Sequence, residues 1–424
     1  MPALKAINFN EIYGYASRMP NGDVGSGTVT MSSQQAVTLL TLLLVYKTNI
    51  LANELGVYAI SDNVKNGTAY WTTQDPIEWV TTARPGTCAR TAISDYSVSN
   101  LSKALSKNHV FMEFCADYQL AELDAIWKPL WGTANDLNDA LSSEGGTVFF
   151  KKFIEKVVGA IGNDFTSVVE FGNAAVITSA LAANPNGLAA GLVTRATNTF
   201  ATADGRLKQV DALKTGSYPH INNTFTSGDI SGHTFIGDAL GYAESLAGLA
   251  HSEFGPAMDA LRAEYMYPVC ECSAGFFNKL KKDITAMYPN LASSLSYKMN
   301  GTLADEMGIE LKNLVRPDAI VWDGILFVAR YDWDSIAKKV GFYHHRCLLS
   351  IPQNFGVAID VPLNGINQFD GMGMVIQKTA DLSKGGKYEL EANYQLAVKL
   401  LRDKYIVNIS LTSLVAAPGT DVPS

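Results

Sequence analysis

The stretch VWDGILFVARYDW, residues 321–333, opens the C-terminal quarter that decides the fold of this chain. A helix-like segment follows, IAKKVGFYHHRCLLSIPQN (336–354). Three segments with the alternation of β-strands come next, GMVIQKTADL (373–382), KYELEANYQLAVKLL (387–401) and YIVNISLTS (405–413). This quarter therefore combines strands with no recognisable set of catalytic residues, which is more typical of a protein that builds a structure than of one that cleaves a bond.

The composition indicates a large buried core and an unusually uncharged surface. Of 424 residues, 47% are hydrophobic and 17% are charged, whereas charged residues make up about a quarter of a typical soluble domain. Two explanations stay open: surface covered by copies of the same chain, or the low surface-to-volume ratio of a large protein. The net charge of −8 argues against a generally basic nucleic-acid binder, because binding to phosphates needs clustered Lys and Arg.

The cysteines argue against a disulfide framework and against structural zinc. They are odd in number, scattered, and fit a reducing cytoplasm: Cys88, Cys115, Cys270, Cys272 and Cys347. The C-x-C spacing of the third and fourth is not that of a zinc site, and no second pair stands at metal-site spacing.

Neither a membrane span nor a signal peptide is predicted. The longest apolar run, residues 36–46, is shorter than the ~20 residues that cross a bilayer. The first thirty positions lack the basic-then-apolar order of a signal peptide.

Apolar periodicity and turn residues predict the order of elements along the chain. A loop-like arm at 1–30 precedes a helix at 33–55, and strands alternate with turns over 56–98. The remaining predictions are mainly helical residues at 99–162, a strand at 168–179, a turn into a short helix at 183–192, a loop at 215–236, helices at 236–265 and 275–287, and a strand at 318–329.

The motifs that could carry chemistry are weak. The glycine-rich GDVGSGT at 22–28 lacks the Lys-Ser/Thr of a phosphate loop. His344 and His345 stand beside Cys347, but neighbouring side chains on a helix point about 100° apart and do not clamp one ion. Asp332 and Asp334 form a common surface pattern rather than an acid and base pair. We therefore predict no catalytic, cofactor-binding or metal-binding residues, and no enzyme.

Several local phrases carry a family resemblance. They are Ser97-Val98 leading into EFCAD (113–117), ELDAIW (122–127), FGN (171–173), VWDG (321–324) followed by Trp333, and HRCLLSIPQNFGVAID (345–360). In this order they resemble the major capsid proteins of tailed bacteriophages with the HK97-like fold, in the branch from phages of Bacteroidetes-type hosts. The resemblance covers most of the chain.

The resemblance implies an α+β fold, the HK97-like capsid fold, with an N-terminal arm, an extended β-hairpin loop, a spine helix, a peripheral domain and an axial domain. The implied boundaries are 1–55 for the arm and its helix, 56–98 for the extended loop (E-loop), 99–174 for the peripheral domain with the spine helix, 175–345 for the axial domain and 346–424 for C-terminal strands returning to the peripheral domain. Four apolar residues of the extended loop are candidate inter-subunit contacts, with packing on their own domain as the alternative: Tyr70, Trp71, Ile77 and Trp79.

The implied function is structural. The chain would self-assemble through hexamers and pentamers into an icosahedral capsid, a virion component built in the bacterial host cytoplasm. It would enclose DNA held non-specifically and meet portal and decoration proteins, but no membrane. Family members processed by a protease often begin with a long charged helix that is not seen here, which implies a separate scaffolding protein or none. The alternatives are a tail tube or sheath subunit, or an enzyme with a site made from scattered loops.

Overall fold

Two β-sheets share one apolar core, and helices cover the far face of one of them. The computed structural model describes residues 28–29, 56–61, 63–74, 98–115, 159–213, 225–231, 234–263, 266–289, 297–298, 315–316, 318–342, 345–360, 373–379 and 387–410. Within these ranges helices and mostly antiparallel strands are mixed. The predicted α+β class is confirmed.

The strands are Thr28–Val29 (β1), Tyr58–Ser61 (β2), Val64–Lys65 (β3), Thr68–Gln74 (β4), Val98–Ala104 (β5), Ser106–Cys115 (β6), Ile230–Ser231 (β7), Thr234–Phe235 (β8), Val269–Cys272 (β9), Tyr297–Lys298 (β10), Val315–Arg316 (β11), Ala319–Trp322 (β12), Ile325–Ala329 (β13), Arg346–Ser350 (β14), Phe355–Asp360 (β15), Gly373–Thr379 (β16), Lys387–Leu400 (β17) and Ile406–Ser410 (β18). The helices are residues 159–171 (α1), Ala175–Ala183 (α2), Ala190–Phe200 (α3), Arg206–Ala212 (α4), Ala239–Phe254 (α5), Pro256–Ala263 (α6), Ala274–Met287 (α7) and Tyr331–Val340 (α8). No helix in the described parts of the chain has both the length and the apolar character needed to cross a membrane.

The long strand β17 organises the six-stranded sheet. The order is β1-β16-β17-β15-β2, and β6 pairs with β17 along ten residues from Leu396↔Ser106 to Lys387↔Cys115. Along β17, Tyr394, Leu396 and Val398 enter the core shared by the two sheets. Because side chains alternate between the faces of a strand, Ala397 points to the other side, against β4.

The five-stranded sheet is buried on both faces. Its order is β12-β13-β9-β14-β18, with β9 and β13 parallel and the other neighbours antiparallel. Alternate residues enter two cores: Val269 and Leu348 face the other sheet with α1, α2 and α8, while Cys270 and Leu349 face α5, α6 and α7. Burial on both faces explains why these strands read as continuous apolar runs.

The C-terminal segment contributes strands to both sheets. β15, β16 and β17 pair within the six-stranded sheet, together with β2 and β6 from the first quarter of the chain. β14 and β18 instead flank β9 in the five-stranded sheet. The two sheets are thus interleaved in sequence, and the segment after residue 345 crosses between them more than once.

The strongest periodic patterns are confirmed. The predicted helix at 236–265 is present as α5 and α6, interrupted at Gly255, whose φ is 39°. The helix at 275–287 is α7, and the strand at 318–329 is the hairpin β12–β13. Its turn is Asp323-Gly324, with φ of 46° and 75°, the residue pair that a two-residue type I′ turn favours.

Three sequence predictions are wrong because tertiary pairing and packing outweigh local pattern. Residues 99–104 and 106–115 fall in the predicted helical region, but they belong to β5 and β6, paired with β4 and β17. Residues 168–179 were predicted as a strand, but they lie in α1 and α2. Residues 346–350, predicted in a helix-like segment, form the buried strand β14 after α8 ends at Gly341.

The error at 168–179 has a visible cause. Two adjacent β-branched residues suggested a strand, yet Ile161, Phe165, Val168 and Val169 are all buried at helical spacing. The predicted helix at 33–55 lies outside the described residues. So do residues 117–158, which make up most of the predicted helical region 99–162, and residues 75–97.

Candidate functional site

A cluster of buried charges lies where the two sheets meet. It consists of Glu170 at the end of α1, Arg206 at the start of α4, Glu271 on β9 and Arg330 before α8, with Tyr58 on β2, and we call it the charged junction. Glu170 and Arg206 are 0% exposed, and Glu271 is 2% exposed. Five segments distant in sequence are therefore joined at one point inside the protein.

Glu170 accepts hydrogen bonds from four side chains. Arg206 Nε donates at 2.6 Å, Arg330 Nη2 at 2.9 Å, the Tyr58 hydroxyl at 2.7 Å and the Trp333 indole at 2.9 Å. The Arg206 Nη2 group also donates to Glu271 Oε1 at 2.8 Å, and Arg330 Nη1 contacts the same carboxylate. Two buried carboxylates thus face two guanidinium groups, and the partly exposed Asp332 is a third carboxylate paired with Arg330. The hydrogen-bonding capacity of Glu170 is filled.

Glu170 stays ionised at neutral pH. Burial by itself raises the pKa of Glu170, but the charges of Arg206 and Arg330, with hydrogen bonds from Arg206 and Tyr58, outweigh it and lower the pKa from 4.5 to about 2. Burial raises the pKa of the Tyr58 hydroxyl. A general acid or base needs a pKa near the operating pH. Glu170 therefore keeps its charge and Tyr58 keeps its proton, and neither is suited to exchange protons.

Aromatic rings seal the charged junction from solvent. The guanidinium carbon of Arg206 lies 5.0 Å from the centroids of the Tyr58 and Phe355 rings and 5.5 Å from that of Trp333. Cations are attracted to the faces of aromatic rings, more strongly where water is excluded. The arrangement therefore holds the elements that carry these residues together.

A second buried network attaches α4 to the five-stranded sheet. Arg346 on β14 donates to both carboxylate oxygens of Asp211, at 2.8 and 2.6 Å, and to Asn408 Oδ1 on β18 at 2.9 Å. The Asn408 amide donates back to Asp211 at 3.1 Å. Bidentate Arg–carboxylate pairs fix orientation as well as distance, so α4 cannot rotate without breaking this network.

The same helix also reaches the six-stranded sheet. Gln209 donates from Nε2 to Val398 O at 3.1 Å and accepts from the Leu400 N–H at 2.9 Å. Its side-chain amide therefore occupies two main-chain groups on the edge of β17, in the manner of a neighbouring strand, which protects that edge. Through Arg206, Gln209 and Asp211, α4 is the connector that fixes one sheet against the other.

Two glycines allow α4 to begin where it does. A Cβ atom on Gly205 would lie 2.4 Å from Gly172 N and 2.7 Å from Glu170 O, closer than real Cβ atoms approach. The Gly205 N–H donates to Gly172 O at 2.8 Å. The backbone before α4 is thus in direct contact with the end of α1, which brings Arg206 within reach of Glu170.

The four candidate inter-subunit residues fall into three situations. Trp71 on β4 is 6% exposed, its indole donates to Ala59 O at 3.0 Å, and its ring lies over Gly356 of β15. Trp71 therefore packs within its own chain. Tyr70, on the opposite face of β4, is 39% exposed. Ile77 and Trp79 lie outside the described residues, so their role stays a prediction.

Exposed apolar side chains also occur at positions that are not among the four predicted inter-subunit contacts. Phe111 on β6 is 51% exposed and stacks on His109 with ring centroids 6.2 Å apart. Tyr331 on α8 is 54% exposed and Met287 at the end of α7 is 60% exposed. The alternating pattern of residues 106–111 could have identified Phe111 as a solvent-facing strand residue. The prediction of a helix in this region did not allow that interpretation.

The weak sequence motifs serve structural roles where they are described. Asp332 accepts from Arg330, and Asp334 accepts from the Ala274 N–H at the first turn of α7 at 2.6 Å. His345 is buried, with Nδ1 3.4 Å from the Ser273 hydroxyl. Among the described residues, no three His, Cys, Asp or Glu side chains are grouped in a way that could hold a metal ion.

Comparison with known proteins finds similarity at the level of structure. No family model and no curated protein matches the sequence. The chain is similar to the satellite phage P4 procapsid including its size determination (Sid) protein, with a TM-score of 0.46 and 10% identity over 88% of this chain and 98% of that chain. It is similar to the cyanophage Pam1 capsid asymmetric unit, with a TM-score of 0.43 and 11% identity over 94% and 98%. The capsid of Ralstonia phage GP4 gives a TM-score of 0.43 and 12% identity over 88% and 92%.

Proposed function

We propose that this chain is a major capsid protein of a tailed bacteriophage with the HK97-like fold, whose copies assemble into the icosahedral shell around phage DNA. The observation that carries the proposal is the ladder between β4 and β5, which pair without a break from Thr68↔Ala104 to Gln74↔Val98. This ladder holds Gln74 and Val98 opposite each other, and these residues flank the segment 75–97 of the extended loop expected from the sequence. We call this segment the excursion.

The base of this excursion is held firmly on its own chain. Ala69 and Trp71 on β4 pack against Ala358 of β15 and Ala397 of β17 in a small apolar cluster. The opposite face of the β4–β5 ribbon is exposed at Tyr70, Thr72 and Asn100. Such a base can carry an extended loop away from the molecule without losing its register.

The sequence of the excursion supports contact with a second copy. Residues 75–97 include Ile77 and Trp79, and a hairpin alone is marginal in water. A neighbouring subunit provides the apolar surface that such side chains need. Because each copy offers the loop and receives another, the contact is heterologous and closes into rings of five or six.

The charged junction and α4 fit the same role. A shell of fixed size needs subunits whose two sheets keep one relative orientation. Three residues of a single helix reach both sheets through hydrogen bonds, which are buried for Arg206 and Asp211 and partly buried for Gln209. Subunit stiffness of this kind favours one curvature of the shell over others.

The finer assignments follow the sequence resemblance. The arm is 1–55, the extended loop 56–98, the peripheral domain with its spine helix 99–174, the axial domain 175–345 and the returning C-terminal strands 346–424. The partners are other copies in hexamers and pentamers, a portal, decoration proteins and DNA held non-specifically, with a separate scaffolding protein or none. The phage infects a Bacteroidetes-type host and assembles in its cytoplasm.

Electron microscopy with sizing of the purified protein, over a range of concentration and salt, tests the proposal. We expect shells, or rings of five or six subunits, for the unchanged chain. Ile77→Ser with Trp79→Ser should leave a folded subunit that does not assemble, whereas Glu78→Gln, which removes no apolar surface between them, should assemble normally. Tubes would support the tail-protein alternative. A monomer at every concentration, with a native circular dichroism spectrum, would overturn the proposal.

A further inference from the structure

Two cysteines face each other on the central strands of the five-stranded sheet. Cys272 on β9 is directly opposite Cys347 on β14. Both side chains enter the core beneath α5 and α7, and both are 0% exposed. All the cysteines described with side chains are free thiols.

The hydrogen bonds around this pair define its type. In an antiparallel ladder, hydrogen-bonded pairs alternate with non-hydrogen-bonded pairs. The Ser273 N–H donates to Arg346 O at 3.0 Å, so that neighbouring pair is hydrogen-bonded. Cys272 O instead accepts from the Arg330 N–H at 2.8 Å, on the side away from β14. Cys272 and Cys347 are therefore a non-hydrogen-bonded pair.

This type of pair has the spacing that a disulfide requires. Directly opposite residues in a non-hydrogen-bonded pair have Cα atoms about 4.5 Å apart. Disulfides bridge Cα atoms about 4.4–6.8 Å apart. The two side chains also leave the sheet on the same face. The Cys272 thiol donates to Val328 O at 3.4 Å, so its side chain must leave this contact, with no change of strand register, for the two sulfur atoms to bond.

We propose that Cys272 and Cys347 form a cross-strand redox site. They stay thiols in a reducing cytoplasm and form a disulfide when the chain folds in the presence of a small disulfide oxidant such as oxidised glutathione. One cysteine thiolate attacks the glutathione disulfide, which forms a mixed disulfide and releases one glutathione thiolate. The second cysteine thiolate then attacks the protein sulfur and displaces the other glutathione. The two protein thiols lose two electrons, the oxidant gains them, and the two protons pass to the released glutathione thiols.

The folded protein protects the site in whichever state it reached during folding. Burial raises the pKa of both thiols, and the thiolate is the reactive form. Neither side chain is exposed, so exchange requires α7 to move away or the sheet to open. The inference rests on the register of β9 and β14 and is independent of the proposed function.

Cys270 is an internal control. It lies on the same face of β9, but it is opposite Leu349 rather than a cysteine. Its relation to Cys347 is diagonal, and diagonal neighbours have Cα atoms about 7–8 Å apart, beyond the usual reach of a disulfide. The thiol of Cys347 interacts with those of both Cys270 and Cys272, so contact between the thiols does not distinguish them. The Cα spacing assigns the bond to Cys272.

Refolding in glutathione buffers tests the assignment. The reduced, urea-unfolded chain carrying Cys88→Ser and Cys115→Ser is refolded over a range of oxidised to reduced glutathione, free thiols are blocked, and peptides are mapped by mass spectrometry. We expect a peptide linked through Cys272 and Cys347, a native circular dichroism spectrum, and a urea midpoint raised by ~0.5–1 M over the reduced protein. Cys270→Ser should leave the yield unchanged, and Cys272→Ser should abolish the link.

Three results would overturn the inference. They are a dominant link through Cys270, glutathione adducts without an internal bond, and a Cys272–Cys347 bond found only in protein without the native spectrum. If the variant with Cys88→Ser and Cys115→Ser does not refold, the same peptide mapping is done on the unchanged chain. The masses of the linked peptides then show which two cysteines are bonded.

Discussion

Replacing Arg206 by methionine is the perturbation that addresses the charged junction most directly. The change removes the guanidinium that donates to Glu170 at 2.6 Å and to Glu271 at 2.8 Å. Two buried carboxylates then face the single charge of Arg330. Methionine keeps much of the side-chain volume, so the loss of charge dominates over the loss of packing.

Two independent arguments give the size of the effect. Removing one partner of a buried ion pair leaves an uncompensated charge and costs about 3–5 kcal/mol. The pKa of Glu170, lowered from 4.5 to about 2 by Arg206 together with Arg330 and Tyr58, corresponds to about 3 kcal/mol of stability at neutral pH, of which Arg206 supplies a part. Because the folded-state pKa is the lower one, this stability is present above pH 4.5 and is lost as the pH falls through 2. The difference between the variant and the unchanged protein should therefore shrink in acid.

Urea unfolding of the dissociated subunit, followed by circular dichroism from pH 3 to 8, measures this effect. Arg206→Met with Glu271→Leu restores the charge balance around Glu170 and should recover about 2 kcal/mol or more. Lys208→Met on the same helix is the matched control, because its ion pair with Asp204 is partly exposed and contributes at most about 1 kcal/mol. A double variant no more stable than Arg206→Met alone would refute the argument from charge and assign the loss to packing.

Three further predictions concern single sites. Burial raises the pKa of Asp334 from 3.8 to about 6, so the stability tied to its proton is present below pH 3.8 and is lost as the pH rises through 6. Asp334→Asn keeps an acceptor for the Ala274 N–H, and its melting curve should show a gain of about 1 kcal/mol at pH 8 that disappears below pH 4. Gly205→Ala should cost about 2 kcal/mol or more because its Cβ has no space, whereas Gly191→Ala in α3, with nothing within 4 Å, should be neutral or slightly stabilising in the same thermal assay. Trp71→Ala should cost about 3–5 kcal/mol through the cavity it leaves over Gly356, while Tyr70→Ala, being exposed, should change unfolding by less than about 1 kcal/mol. Equal losses at Trp71 and Tyr70 in urea unfolding would contradict the burial seen here.

The amino-acid sequence by itself determined the elements whose patterns are local. The helices α5 to α7 and the hairpin β12–β13 follow from apolar periodicity and from an Asp-Gly turn, which depend on residues within a few positions of each other. The α+β class and the candidate loop residues Tyr70, Trp71, Ile77 and Trp79 came from the same kind of pattern and from resemblance.

Tertiary structure alone decided the pairings between distant segments. Local pattern predicts a helix over most of β5 and β6, because their strand character comes from pairing with β4 and β17. β17 lies almost 300 residues from β6 in the sequence. The charged junction joins Tyr58, Glu170, Arg206, Glu271 and Arg330, and none of these stands in a motif with another. A buried charge is stable only beside its partner, and which partner it meets depends on how the sheets pack. The Cys272–Cys347 pair could not be predicted for the same reason. The register of β9 and β14 brings the two residues together, and their spacing in the sequence does not indicate it.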